Sequence, residues 1–320
     1  MNIHELPMII FTVVAQMSIG AFWALGAIQV FGRYRKLTVS TIDRITDVGM
    51  YAVGPLLVAG FIAAFFHLND PFHAIYTMNN LGSSWLSREL LAGVLFGGFG
   101  AAFAISQWFG WLTRGIREII AILTAVAGLF LLIAMSGVYY STSTIPAWNN
   151  VSVPLFFFES ALLTGPLAVA VALLIVWTSN PLAKIRKQAK EPLNAELVAF
   201  LRASLRGLSV VATVAGIAIF VTYPIYLLAL SHGGDAAEYV ASEISTSFLL
   251  WRLLLLGIAV VIAGVFAFSK VQTANQPQKV LIVLIVLALV LALTSELMGR
   301  SIHYDGLWRE GLNTWQTIAG

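Results

Sequence analysis

The chain has 320 residues, of which 59% are hydrophobic and only 10% charged, and its formal net charge is +3. Soluble domains carry about 25% charged residues, so this composition excludes an ordinary soluble protein and indicates an integral membrane protein. The positive charge needs no nucleic-acid partner, because basic loops on the cytoplasmic side of a membrane explain it. The chain has no cysteine, which excludes disulfides and any iron–sulfur cluster bound by this chain alone.

Eight apolar segments are long enough to cross a bilayer as helices of about 20 residues. They lie at 8–31, 47–67, 89–109, 117–138, 153–177, 207–230, 246–268 and 280–298. Backbone inside the hydrocarbon layer must satisfy its own hydrogen bonds, so each segment is predicted to be helical. The sequence therefore predicts an all-α, polytopic membrane protein with eight transmembrane helices, in which residues 1–320 form a single integral-membrane domain.

The distribution of lysine and arginine predicts the orientation of the segments. Fourteen of the 18 basic residues follow segments one, three, five and seven: Arg33, Arg35, Lys36, Arg44, Arg114, Arg117, Lys184, Arg186, Lys187, Lys190, Arg202, Arg206, Lys270 and Lys279. Only Arg88, Arg300 and Arg309 lie on the opposite side, and Arg252 lies inside the seventh segment. Because basic loops stay in the cytoplasm, both termini are predicted on the outer, periplasmic side.

Two further patterns are interpreted as scaffold. The third segment contains Gly93, Gly97, Gly98 and Gly100, a small-residue pattern that favours close helix packing. Six tryptophans fall near predicted segment ends and are interpreted as an interfacial aromatic belt: Trp85, Trp108, Trp111, Trp148, Trp177 and Trp251.

On this topology every histidine lies at or beyond the outer face. The five are His4, His67, His73, His232 and His303. A transmembrane b-type haem needs axial ligands within the spans, so no haem is expected in this chain. The residues His73, His232 and His303 are interpreted as solvated loop or tail residues.

Four charged residues within the spans, Glu89, Glu159, Arg252 and Glu296, fall in the predicted outer half, and the cytoplasmic half shows no comparable set. Transport needs a polar path across the whole membrane, whereas a site that opens to one face needs only a cluster near that face. The asymmetry favours a site open to one face. Structural interpretations are a salt bridge between Glu159 and Arg252 and a local ion pair between Glu296 and Arg300.

The pair His67 and Glu89 sits at adjacent helix ends and suits the oxidation of a quinol. An imidazole can hydrogen-bond a ring oxygen in either direction, and a carboxyl group in apolar surroundings can accept a proton near neutral pH. The structural alternative is that His67 caps a helix end and that Glu89 pairs with Arg88 or complements the helix N-terminus. The wider candidate set for quinol binding is Ser84, Arg88, Glu159, Arg252, Glu296, Arg300 and Tyr304, and no metal site is predicted.

Five segments carry a resemblance to a known family. They are HELPMIIFTV (4–13), the stretch from HLNDP to MNNLGSSWLSRELLAG (67–93), TIPAW (144–148), GPL (165–167) and ELMGRSIHY (296–304). The chain resembles the membrane anchor subunit of dimethyl sulfoxide reductase, within the wider group that includes polysulfide reductase-type quinone-reactive subunits. It departs from the family pattern at Asn69, His73, Asn80 and His303.

The resemblance implies a multi-pass subunit of the prokaryotic cytoplasmic (inner) membrane, without haem, in which residues matching His67 and Glu89 bind and oxidise menaquinol. It implies partners, namely a four-cluster ferredoxin-like iron–sulfur subunit and a molybdopterin catalytic subunit that holds the terminal reductase site. Two alternatives remain open on the sequence. One is a secondary transporter, and the other is a purely structural anchor without its own quinone site.

Overall fold

The structure is a computed structural model that describes residues 6–65, 71–179, 185, 194–244, 246–274, 276 and 278–309, without the side chains of 59, 61, 63–65 and 71–75. The predicted site residue His67 lies outside the described residues, as do His4 and the four predicted cytoplasmic residues Lys184, Arg186, Lys187 and Lys190. Within the described ranges the chain is helical and contains no strand.

Nine helices follow one another along the described chain. They are α1 (Leu6–Tyr34), α2 (Val39–Phe65), α3 (Trp85–Phe109), α4 (Arg114–Tyr140), α5 (Ser152–Thr178), α6 (Ala195–Ser231), the short α7 (Asp235–Glu243), α8 and α9 (Lys279–Asp305). Helix α8 begins as Thr246–Val261, passes through a π-helical stretch at Ile262–Ala267 and ends as Phe268–Thr273. A 3₁₀ stretch at Pro71–Asn80 precedes α3.

Within the part of the chain that the structure describes, seven helices are long and apolar enough to cross a membrane, namely α1, α3, α4, α5, α6, α8 and α9. The protein is therefore a multi-pass membrane protein. Helix α2 has 27 residues, or about 40 Å of length, but several side chains in its last two turns are not described. The eighth span and the outward orientation of the termini stay predictions.

Helices α1 and α5 pack side by side at the centre and are the most buried of the seven. Their backbones touch where Gly20 faces Ala161 and Gly165, and a methyl group at Gly165 would overlap the backbone of Gly20. Close contact through small residues is a common way to join membrane helices. In the predicted glycine pattern of α3, by contrast, Gly98 is exposed and has open space beside it. Small residues thus bring the backbones of α1 and α5 into direct contact.

One end of the bundle, here called the basic end, gathers the described basic side chains of α1, α4 and α6. The carboxylate of Glu118 accepts from Arg33 at 2.8 Å and from Arg114 at 2.7 Å. On α6, Arg202 donates through Nε to the carbonyl of Val271 at 3.1 Å. The charge segregation predicted from the sequence is thus present, and Glu89 lies at the opposite end.

Helix α6 begins earlier than predicted, at Ala195 rather than near residue 207, and has 37 residues. The side chain of Asn194 caps it by accepting from the backbone N–H of Leu197 at 2.8 Å. The added turns bury apolar side chains at helical spacing, including Phe200 and Leu201. The segment interpreted as a cytoplasmic loop is therefore partly helical, because it packs against neighbouring helices despite its charges.

Candidate functional site

The first turn of α3 is held in place by its own polar residues. The hydroxyl of Ser84 caps the helix by accepting from the N–H of Ser87 at 3.3 Å. The guanidinium of Arg88 donates to the carbonyls of Leu81 at 2.9 Å and Gly82 at 2.7 Å. The predicted structural pair of Arg88 with Glu89 is therefore wrong, since Arg88 binds the preceding turn and leaves Glu89 to other partners.

The carboxyl group of Glu89 lies at the same end of the bundle as a pair of buried tyrosine hydroxyls. Tyr139 of α4 and Tyr304 of α9 share a hydrogen bond of 2.7 Å and are 6% and 7% exposed. Both interact electrostatically with Glu89. We call Glu89, Tyr139 and Tyr304 the protic corner. It gathers one carboxyl group and two hydroxyls at one end of the bundle.

His67, the predicted partner of Glu89, lies outside the described residues, so the pair stays a prediction. Helix α2 starts near the basic end and is described as far as Phe65, two residues before His67. The backbone therefore approaches the end that carries the protic corner. Within the described residues, no three His, Asp or Glu side chains are grouped as a metal ion would require. The expected lack of haem stays a prediction too.

The interpretation of His303 as a solvated tail residue is wrong. Helix α9 continues to Asp305, well past the predicted end at 298, and this extension carries His303 into the bundle. Its ring stacks on Trp148 at 5.6 Å between centroids and meets Tyr139 edge-on at 4.6 Å. The indole N–H of Trp148 donates to the carbonyl of His303 at 2.8 Å, so Trp148 holds the end of α9 in place.

The remaining ionisable candidates pair differently from both structural interpretations. The guanidinium of Arg252 meets the carboxylate of Glu296 at 3.6 Å, with both side chains 4% exposed. The second carboxylate, Glu159, accepts from the hydroxyl of Thr222 at 2.6 Å instead of binding Arg252. The predicted ion pairs Glu159–Arg252 and Glu296–Arg300 are thus replaced by one buried pair between α8 and α9.

Arg300 links the two ends of the sequence. It donates to the side-chain carbonyl of Gln16 on α1 at 3.0 Å, and its guanidinium lies 3.9 Å from the ring centroid of Phe157 on α5. A guanidinium over an aromatic face is a favourable arrangement when both are shielded from water. Arg300 therefore ties α9 to the central helices, and the spacing Glu296, Arg300, His303 places all three along one helix face.

A small polar cavity lies between these side chains. Four of the residues that line it carry a charge or an imidazole ring, namely Arg252, Glu296, Arg300 and His303. The volume of the cavity is about 20 Å³. This is room for about one water molecule and not for an aromatic ring. Quinol binding by Arg252, Glu296 and Arg300 stays a prediction.

The seven apolar helices place the protein in the class of multi-pass membrane proteins. The DMSO reductase anchor subunit (DmsC) family matches residues 1–307 of the sequence. The protein belongs to this family and is a membrane subunit of a redox enzyme.

Individual relatives agree with the family. The protein is 26% identical over 303 residues, 94% of each sequence, to the anaerobic dimethyl sulfoxide reductase chain YnfH of Escherichia coli K12. It is 25% identical over 301 residues, again 94% of each sequence, to a second anaerobic dimethyl sulfoxide reductase chain of the same organism. A third relative is a sulfite dehydrogenase subunit of Allochromatium vinosum, with 26% identity over 199 residues, 53% of this sequence and 61% of that one.

Proposed function

We propose that this protein is the membrane anchor and quinol-oxidising subunit of a respiratory molybdopterin reductase similar to dimethyl sulfoxide reductase. The observation that carries the proposal is the protic corner, which gathers the Glu89 carboxyl group and the hydrogen-bonded hydroxyls of Tyr139 and Tyr304 at one end of the bundle. Membership of the anchor family supports the same assignment. The complex would reside in the cytoplasmic (inner) membrane of a prokaryote.

Oxidation of menaquinol to menaquinone releases two protons and two electrons. In the proposal, His67 hydrogen-bonds one ring oxygen of the quinol and Glu89 accepts a proton from the other. The two electrons pass to an iron–sulfur partner subunit of the four-cluster ferredoxin type, docked at the same end. The partner relays them to a molybdopterin catalytic subunit, which reduces the terminal acceptor. Because protons and electrons leave on one face, turnover is nearly electroneutral.

Comparing the complex with and without this subunit tests the proposal. The complete complex should reduce its acceptor with menaquinol and also with an artificial soluble electron donor. The partners alone should keep the artificial-donor rate and lose the menaquinol-dependent rate. Menaquinol oxidation by the partners alone would instead support a structural anchor, and solute uptake by vesicles that contain only this protein would support a transporter.

A further inference from the structure

The polar cavity at the end of α8 and α9 is lined by charged side chains, each of which keeps one polar atom without a hydrogen-bond partner. Arg252, Glu296 and Arg300 are 3%, 4% and 4% exposed. Among the described residues, no hydrogen-bond partner is in reach of Arg252 Nη1, Glu296 Oε1, Arg300 Nε or His303 Nε2. Buried polar atoms of this kind are almost always paired with protein or with ordered water. The cavity of about 20 Å³ fits one water molecule with several polar partners.

The cavity is joined to the protic corner through aromatic side chains. The ring of His303, which lines the cavity, contacts Tyr139 at 4.6 Å and Tyr304 at 5.3 Å between centroids. The two tyrosine hydroxyls are 2.7 Å apart, and Arg300 interacts electrostatically with both. The hydroxyl pair is therefore in ring contact with His303 at the edge of the cavity, at the end of the bundle that also carries Glu89.

The cavity also adjoins an open pocket at the same end of the bundle. Ile302 lines both spaces, and the open pocket has a volume of about 450 Å³. The carboxylates that line the open pocket are Glu243, at the end of α7, and Asp305, at the end of α9, and both are exposed. Ile302 thus borders both the buried polar cavity and an open pocket that carries two carboxylates.

We propose that the protic corner, His303 and the cavity form a proton exit relay. This inference rests on the proposed function. A proton accepted by Glu89 passes through the hydroxyls of Tyr139 and Tyr304 to His303, and from there through one water in the cavity to the pocket at Asp305. Each member takes up one proton and gives up another, so the series of groups is unchanged after each transfer. No electron moves, the Glu89 carboxylate is regenerated, and one proton reaches solvent.

The variant His303→Phe tests the relay, because phenylalanine keeps the ring stack on Trp148 and removes the ring nitrogens. In the complete complex, the kcat for menaquinol should fall at least about tenfold, since proton transfer becomes slow. KM should stay the same, the solvent deuterium isotope effect on kcat should rise, and the artificial-donor rate should not change. The matched control is His232→Phe, an exposed histidine at the end of α6, which should leave all four quantities unchanged.

Tyr304→Phe gives an independent measurement, since it breaks the hydroxyl pair but keeps the ring. It should show the same loss of kcat and the same rise in isotope effect. If both variants keep the wild-type kcat and isotope effect, the relay is wrong while the quinol site stands. A higher KM with an unchanged isotope effect would mean that the residues only position the quinol, which also overturns the relay. Failure of the wild-type complex to oxidise menaquinol would instead count against the proposed function.

Discussion

Replacing Glu89 by glutamine should lower menaquinol-dependent turnover of the complex by about 10²–10⁴-fold, the range that a positioned general base contributes. Glutamine has nearly the same shape, so the packing against Tyr139 and Tyr304 should survive. The amide cannot accept the proton that leaves the quinol. The measurement is the steady-state rate with menaquinol, normalised to the artificial-donor rate of the same preparation.

The control for this variant is Glu196→Gln, on the exposed first turn of α6 at the basic end. It makes the same chemical change far from the protic corner and should keep the full menaquinol rate. The companion variant His67→Asn should resemble Glu89→Gln if the imidazole binds the quinol as proposed. Full menaquinol activity in both site variants would remove the site assignment from this protein.

Replacing Arg252 by methionine should lower the free energy of unfolding by about 3–5 kcal/mol, the usual cost of leaving one member of a buried ion pair alone. The carboxylate of Glu296 would keep its charge in apolar surroundings and lose its partner at 3.6 Å. The Arg252 guanidinium also lies over the Tyr223 ring, 4.5 Å from its centroid, and this contact would be lost as well. Denaturant unfolding of the detergent-solubilised complex measures the change.

The double variant Arg252→Met with Glu296→Leu provides the control. Replacing both members by apolar side chains of similar size is often close to neutral, so the double variant should recover most of the lost stability. Arg33→Met, which breaks an exposed ion pair at the basic end, should cost less than about 1 kcal/mol. A double variant that is as unstable as the sum of the single variants would show that the pair is not energetically coupled.

Much of the fold could be predicted because the bilayer imposes a simple rule on the sequence. Apolar segments of about 20 residues mark spans, and seven of them appear as apolar helices of sufficient length. The same rule cannot detect helix that continues outside the apolar layer. For this reason the start of α6 at Ala195 and the end of α9 at Asp305 were missed.

The sequence predicts most of the residues of the candidate site but only part of their pairing in space. The sequence placed Glu89, Arg252, Glu296, Arg300 and Tyr304 toward one face, and the structure gathers them at one end of the bundle. Partners across helices are a matter of rotation and packing, which spacing along the sequence does not specify. This is why Arg252 was assigned to Glu159 although it meets Glu296.

Tyr139 and His303 were missed for related physical reasons. Aromatic residues near span ends are typical of an interfacial belt. A tyrosine at position 139 therefore gives no sign of its hydrogen bond to Tyr304. His303 lay beyond the predicted end of the last span and was treated as solvated. Its spacing from Glu296 and Arg300, seven and three residues, is the signal that could have placed it on their helix face.

The most direct test of the central claim is a structure of the intact complex with a bound quinone analogue. The account predicts that a ring oxygen of the analogue lies within hydrogen-bonding distance of the Glu89 carboxyl group, with His67 on the opposite ring oxygen. A ring bound in a partner subunit, or at the basic end near Arg33 and Glu118, would contradict it.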